Sequence, residues 1–283
     1  MKPIDLAAVG NIIAEVAATE IMPRFRNLGA GDVEVKGDKS SVTVADKAAE
    51  QALIVRLQNY LPHSIIVGEE SFEADNRILL RLSGNADVWV IDPIDGTRNF
   101  IEGRPEFGVI VALVRRKQTV AAWIHDPSTG DMLRAEQGSG VWLNGYKMRL
   151  ASSEKDVSPL GLLSWHVHQK FLQLKAAGAA LPESECASAA SFDYPRFFTG
   201  DVLFANSQKP RVSFFLGDHA KPWDHAAGLL MIKEVQGYGA NLFGHPYDPA
   251  SSQNKGLLSA PNRPAWDGIH QTFKAVIDPI ITS

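Results

Sequence analysis

The stretch WVIDPIDGTRNF, residues 89–100, decides how the chain is read. With Val88 it begins as an apolar run of strand character, ends abruptly in Asp92, and places a second acid, Asp95, three residues later. Burying a carboxylate is costly unless something neutralises it. Asp-Pro and Asp-Gly are also ordinary turn dipeptides, so on this stretch alone a pair of turn acids after a strand is an equal explanation.

The surroundings supply the context. Upstream, Leu6, Val9, Ile12, Ile13, Val16 and Ile21 recur at three- and four-residue steps, which predicts an amphipathic helix over the first 28 residues, ended by Gly29 and Gly31. SVTVADKAAEQALIVRLQNYLP (41–62) predicts a short extended piece and then a helix stopped before Pro62. SIIVGEE (64–70) predicts a buried strand running into acids. From Phe107 to Arg149 β-branched runs alternate with the hairpin signals STGD (128–131) and NG (144–145), as in an antiparallel meander. Beyond Ser152 the pattern predicts a strand at Gly161–Ser164, a helix at Lys170–Ala177, a strand at Val212–Phe215 and a helix over KPWDHAAGLLMIKEVQG (221–237), with Pro222 in its first turn. The expected division is an N-terminal α+β half, residues 1–150, with the antiparallel sheet and most acids, and a smaller α/β half, 151–283, sharing one core.

Composition bounds the function. The chain has 283 residues, 45% of them hydrophobic, and a net charge of −4, so it carries no basic footprint for nucleic acid. No 18-residue apolar stretch is evident, so no membrane span is expected, and the location expected is the cytoplasm. The single cysteine, Cys186, excludes an internal disulfide and a cysteine-based zinc site and reads as a small core hydrophobe.

Three apolar runs end in acids: IIVGEE, VWVIDPID and, at a helix start, KPWD. Ligands of α/β proteins bind where strand ends and helix starts meet. Carboxylates gathered there repel unless a cation neutralises them, and oxygen-only ligands suit Mg²⁺. If Glu69, Asp92, Asp95 and Asp224 converge, at least two ions fit, while Gly96 and Thr97 offer backbone N–H groups to phosphate. A haloacid-dehalogenase nucleophile fits poorly, because that motif spaces its acids two apart.

Six collinear segments resemble the inositol monophosphatase family of Mg²⁺-dependent, lithium-sensitive phosphatases. SVTVADKAAE is similar to its T-x-x-D segment, VGEES to its glutamate motif and WVIDPIDGTRNF to its first signature. HDPSTGDMLRAEQGSGVWLNG resembles its hairpin block, KPWDHAAG its second signature, and PYDP with GLLSAPN its closing segment. The resemblance implies a layered αβαβα sandwich, a homodimer, two to three Mg²⁺ per site with Mn²⁺ as a substitute, and inhibition by Ca²⁺ and Li⁺. It implies that Glu69, Asp92, the Ile94 carbonyl, Asp95 and Asp224 hold the metals. Asp46, Thr97 and Glu69 would be catalytic, with Asp46 and Thr97 orienting the attacking water. Phosphate and substrate would meet Asp95, Gly96, Thr97, Ser188, Ala189, Asp218 and Asp224. The substrate implied is a small phosphorylated polyol or sugar.

Other residues read more plainly. Glu70 is expected beside the metals or at the surface, Ser71 in a turn or cap, Trp223 and His225 in structural roles, and His166 and His168 together on one strand face, with no third ligand nearby. Arg98, Lys147 and Arg196 could touch phosphate, but solvated surface charge is the better expectation for each. The leaving-group side departs from the family: the usual glutamate, seven residues before the W-D aspartate, is Gly217 here, with Asp218 beside it, and PRVSFFLGDHA looks inserted. Histidinol phosphate, fructose 1,6-bisphosphate and nucleotide or NADP phosphates are therefore alternative substrates. A regulatory binding protein on the same scaffold, or a sugar-binding module with structural Ca²⁺, are readings of another class.

Overall fold

The structure is a computed structural model that describes residues 4–37, 40–151, 160–200, 211–251 and 255–282. The first helix, α1 (Leu6–Val16), widens into a π turn at Ala17–Ile21 and tightens to a 3₁₀ turn at Met22–Arg24, so regular α-helix ends well before residue 28. Pro23, which has no N–H to donate, lies in that last turn. The helical segment Leu6–Arg24 is nevertheless long and apolar enough to meet the bare criteria for crossing a membrane, which corrects the expectation that no such stretch exists. Val9, Ile13, Val16 and Ile21 are buried in the protein core.

A small antiparallel pair, β1 (Val33–Val35) and β2 (Ser41–Thr43), leads into α2 (Val44–Tyr60). Then come β3 (Ile65–Gly68), α3 (Glu69–Ala74), β4 (Val88–Asp95) and α4 (Thr97–Ile101). The meander follows as β5 (Gly108–Arg115), β6 (Gln118–His125), β7 (Met132–Glu136), β8 (Gly140–Leu143) and β9 (Tyr146–Leu150). The expected NG turn joins β8 to β9, with Asn144 and Gly145 both at positive φ, as a two-residue hairpin demands. The STGD block acts structurally: Asn144 Nδ2 donates to Asp131 Oδ1 at 2.9 Å, while its Oδ1 accepts the Met132 N–H at 2.9 Å.

The C-terminal half contains β10 (Gly161–Leu163), α5 (Trp165–Ala176), β11 (Ser184–Cys186), α6 (Ala190–Asp193), β12 (Phe198–Thr199), β13 (Phe214–Gly217), α7 (Pro222–Glu234), β14 (Tyr238–Asn241), β15 (Leu257–Ala260), α8 (Arg263–Thr272) and α9 (Lys274–Thr282). Helix α5 starts five residues before the expected Lys170, so His166 and His168 lie on a helix, not a strand. Residues two apart on a helix diverge by about 200°, and the two histidines separate accordingly. Val167 and Phe171, four apart, form the buried face that favours helix over strand. Strand β13 is shifted two residues from the expected span.

The described strands form an eight-stranded sheet in the order β12-β9-β8-β7-β6-β5-β4-β3, and a five-stranded sheet in the order β11-β10-β13-β15-β14. Alternating side chains of β5 serve two cores. Val109, Val111 and Leu113 meet α1 and α2, while Ile110, Ala112 and Val114 meet the apolar face of α7. Leu162 reaches that second core from the smaller sheet, whose other face packs against α5, α8 and α9 through Leu163, Phe171, Phe214, Leu216 and Phe273. The result is the expected sequence of layers: helices, large sheet, α7, small sheet, helices. Past residue 150 the chain crosses back, since β12 pairs with β9 and α7 covers the large sheet.

Candidate active site

Strand β4 carries the centre of the site. It runs parallel to β3 and antiparallel to β5, with a register irregularity between Asp92 and Asp95 that accommodates Pro93. The chain then turns at Gly96, whose φ is +88°. A Cβ there would sit 2.8 Å from the Glu106 carbonyl oxygen, so the turn into α4 accepts only glycine.

Asp46 arrives from α2 through a capping box. Thr43 Oγ1 accepts the Ala45 and Asp46 N–H groups, and Asp46 Oδ2 accepts the Thr43 N–H at 2.8 Å. Its other oxygen, Oδ1, faces Thr97 Oγ1 at 3.1 Å, and the Ile94 carbonyl oxygen is 3.0 Å from the same hydroxyl. Burial pushes the Asp46 carboxyl up to about 6, against the lowering effect of its Thr43 bonds.

One oxygen from each of Asp92, Asp95 and Asp224 lies within 4.8 Å of the others. Asp224 comes from the first turn of α7, and Ser191 donates its N–H to Asp95 Oδ2 at 2.6 Å. Burial, followed by the charge of Glu69 and of Asp95, drives Asp92 well above the usual carboxylate range. Asp224 is driven up by burial and then by Asp95 and Glu69, and Asp95 rises to about 6 through burial, partly offset by Ser191. Asp92 Oδ1 is fully buried and has no hydrogen-bond partner among the described residues. An orphaned carboxylate oxygen among further acids is what a hard divalent cation would satisfy, so the donor set fits such an ion.

Glu69 and Glu70 open α3, and the enclosed Lys36 ammonium bonds to both at 2.8 Å. Glu70 thus meets a lysine, and burial raises it to about 7. The turn itself is held by Glu50, which the sequence reading missed. Its carboxylate accepts the N–H groups of Glu70 (2.9 Å) and Ser71 (2.8 Å) and the Ser71 hydroxyl. Gly68 leaves the room for it, since a Cβ there would lie 2.3 Å from Glu50 Oε2. The available signal was the spacing in ADKAAE, which puts Asp46 and Glu50 on one helix face.

A cavity of about 260 Å³ opens beside Asp95 and Asp224, and its walls include Ser164, Trp165, Ser188, Ala189, Tyr194 and Phe215. Ser188 is fixed by Asp193, which accepts its N–H at 2.6 Å, and by Asn99 Nδ2 at 3.1 Å. Phe215 occupies the space that a side chain at Gly217 would need, because a Cβ at Gly217 would sit 2.8 Å from its ring. Asp218 does not line this cavity; its carboxylate is held by Ser164 Oγ at 2.6 Å. His225 also lines the cavity; its Nδ1 lies 3.0 Å from the Tyr194 hydroxyl, and burial lowers that imidazole to about 3. Trp223 packs on Phe72.

The three candidate phosphate cations are elsewhere. Arg98 pairs with Glu102 at the surface, and Lys147 stands in solvent over the Trp142 ring. Arg196, expected at the surface, is only 3% exposed and is paired with Glu185 and Asp193. Cys186 is half-buried, and burial, with Asp193 and Glu185, raises its thiol, as suits an unreactive position.

The sequence profile of the inositol monophosphatase family matches residues 2–278. Among curated proteins the chain is 32% identical over 241 residues to the Nus factor SuhB of Escherichia coli, covering 83% of this chain and 84% of that protein. It is 29% identical over 218 residues to an inositol-1-monophosphatase of Rhizobium meliloti, covering 75% and 76%. Among solved structures, an IMPase of Thermotoga maritima superposes with a TM-score of 0.72 at 24% identity, covering 97% of this chain and 96% of that one.

Proposed function

Because the chain belongs to the inositol monophosphatase family, we propose that it is a Mg²⁺-dependent phosphomonoesterase that hydrolyses a small polyol or sugar phosphate. The observation that carries this reading is the buried Asp92 Oδ1, without a hydrogen-bond partner among the described residues, beside Asp95 and Asp224 and next to a Thr97–Asp46 pair. Asp92, Asp95, Asp224, Glu69 and the Ile94 carbonyl are the ligands in this proposal. Mg²⁺ held there supplies Lewis acidity and makes water at the site more acidic.

The protein's own groups do the remaining work. Thr97 has one hydroxyl proton, and an ionised Asp46 is the stronger of its two acceptors. Donating to Asp46 leaves the Thr97 oxygen lone pairs directed away from it, so that as Thr97 takes the proton of the attacking water it passes its own hydroxyl proton to Asp46 Oδ1, which ends the step protonated. Asp46 holds that hydroxyl in orientation and is itself locked by the capping box. The backbone N–H groups of Gly96 and Thr97 receive phosphoryl oxygens. The leaving group extends into the cavity past Ser188, Ala189 and Phe215, whose apolar surface distinguishes this pocket from one lined by a glutamate. Phosphate release from inositol 1-phosphate, glycerol 2-phosphate, histidinol phosphate and fructose 1,6-bisphosphate tests the proposal. Activity is expected on at least one of them, dependent on Mg²⁺ and abolished in Asp92→Asn; metal-independent or absent turnover on all four overturns it.

The similarity to Nus factor SuhB favours one second reading, a binding role in the transcription machinery. Capture of a transcription component, unaltered in Asp92→Asn and accompanied by negligible phosphatase activity, would replace the first reading with the second.

A further inference from the structure

At the rim of the cavity, the start of α5 faces the loop that leaves β13. His166 Nδ1 is 3.0 Å and His219 Nε2 is 3.6 Å from the same oxygen, Asp218 Oδ2. The other oxygen, Oδ1, accepts the Ser164 hydroxyl at 2.6 Å, and the Asp218 N–H returns to Ser164 Oγ at 3.3 Å. The carboxylate is therefore held in place, and one ligand atom from each of the three residues falls within 4.8 Å of the others. His168 takes no part; its ring stacks on Phe171.

Core packing does not force this convergence, since the histidine side chains are 66% and 68% exposed. One imidazolium suffices to neutralise one carboxylate. A second on the same oxygen would bring two like charges together, at a cost that one carboxylate does not remove. Two neutral imidazoles and a carboxylate around a shared cation present no such conflict. Tetrahedral ligands at zinc distances stand about 3.3–3.4 Å apart, and the two observed separations bracket that value.

We propose that His166, Asp218 and His219 form a binding site for a borderline divalent ion, Zn²⁺, separate from the all-oxygen cluster around Asp92. The ligand types make the two sites selective for different ions: imidazole suits zinc, while carboxylate and carbonyl oxygens suit magnesium. Ser164 orients the carboxylate ligand, as hydrogen-bonding partners of metal ligands generally do. Ser164 and Trp165 also wall the cavity, so the ion ties its rim to the β13–α7 loop. Three protein ligands leave a coordination position for water or a ligand group.

The test uses the full-length, metal-stripped protein, titrated calorimetrically with Zn²⁺ in excess Mg²⁺, with Co²⁺ absorption as a second probe of the coordinating atoms. One equivalent is expected, retained in Asp92→Asn. Affinity should fall at least about tenfold in His166→Ala and in His219→Ala, and about tenfold in Ser164→Ala. Both histidines are exposed, so an unchanged melting temperature in the metal-free variants separates ligand loss from misfolding. No zinc equivalent in the presence of Mg²⁺, or equal binding by the His166→Ala/His219→Ala double variant, overturns the proposal.

Discussion

The two ends of the cavity are built on different principles. At the acidic end, Asp46, Asp92, Asp95 and Asp224 project from α2, β4 and α7, elements whose other residues form the buried cores on both faces of the large sheet. At the leaving-group end, Ser164 and Asp218 lie at the edges of β10 and β13, and Phe215 fills the space beside Gly217. The first end concentrates charge where it is costly and fixes it with helix caps and backbone N–H groups. The second is mostly apolar, with its polar groups engaged with one another. Chemistry that stays constant calls for the first arrangement, whereas a substrate preference can change through the second without disturbing the core.

The sharpest way to break that contrast is Asp92→Asn. It should lower kcat/KM about a hundredfold or more, the several kcal/mol that charge stabilisation by a metal supplies. Near-normal Mg²⁺-dependent turnover would show that the buried acids are not the reacting end. Thr97→Ala removes a single hydroxyl and leaves the carboxylates intact. It should cut kcat by about a hundredfold, as for the loss of proton-transfer assistance, with KM little changed. A rise in KM at constant kcat would instead make Thr97 a binding residue.

The leaving-group end should respond in stability and preference. Gly217→Glu forces its side chain against the Phe215 ring and should cost about 1–3 kcal/mol through overpacking, seen as a lower melting temperature. Adding Phe215→Ala should restore that loss and raise the preference for inositol 1-phosphate over glycerol 2-phosphate. A Gly217→Glu protein with the parent melting temperature would mean that the aromatic ring does not define this wall.

The acidic end was legible in the sequence because its signals are local. The T-x-x-D of residues 43–46 is a capping box, and VWVIDPID is one strand whose apolar run ends where the acids begin. What escaped depends on contacts between distant segments. Glu50 caps α3 across 20 residues, Lys36 reaches Glu69 and Glu70 from the β1–β2 connection, and Asp218, after β13, meets His166 at the start of α5. The period-two spacing of polar residues in HVH suggests a strand, whereas the burial of Val167 and Phe171, four residues apart, belongs to a helix. The ordinary habit of its residue type places Arg196 at the surface, which pairing with the buried Asp193 and the half-buried Glu185 overrides.

The smallest expected effect is thermodynamic. Burial raises Asp46 and Asp95 from 3.8 to about 6 in the folded, metal-free protein. A carboxyl that holds its proton more tightly when folded stabilises the fold at low pH, and that stabilisation is lost as pH rises from about 4 through about 6. The unscreened acids are then ionised together, and a divalent cation restores what was lost by binding only their ionised, folded arrangement. The rise in melting temperature on adding Mg²⁺ should therefore be larger at pH 7.5 than at pH 5, by a few degrees, about 1 kcal/mol for a chain of this size. Asp92→Asn should shrink this difference between the two pH values, whereas Gly217→Glu should leave it intact. A Mg²⁺ shift that is the same at both pH values would separate metal binding from the buried acids and remove the electrostatic half of the contrast.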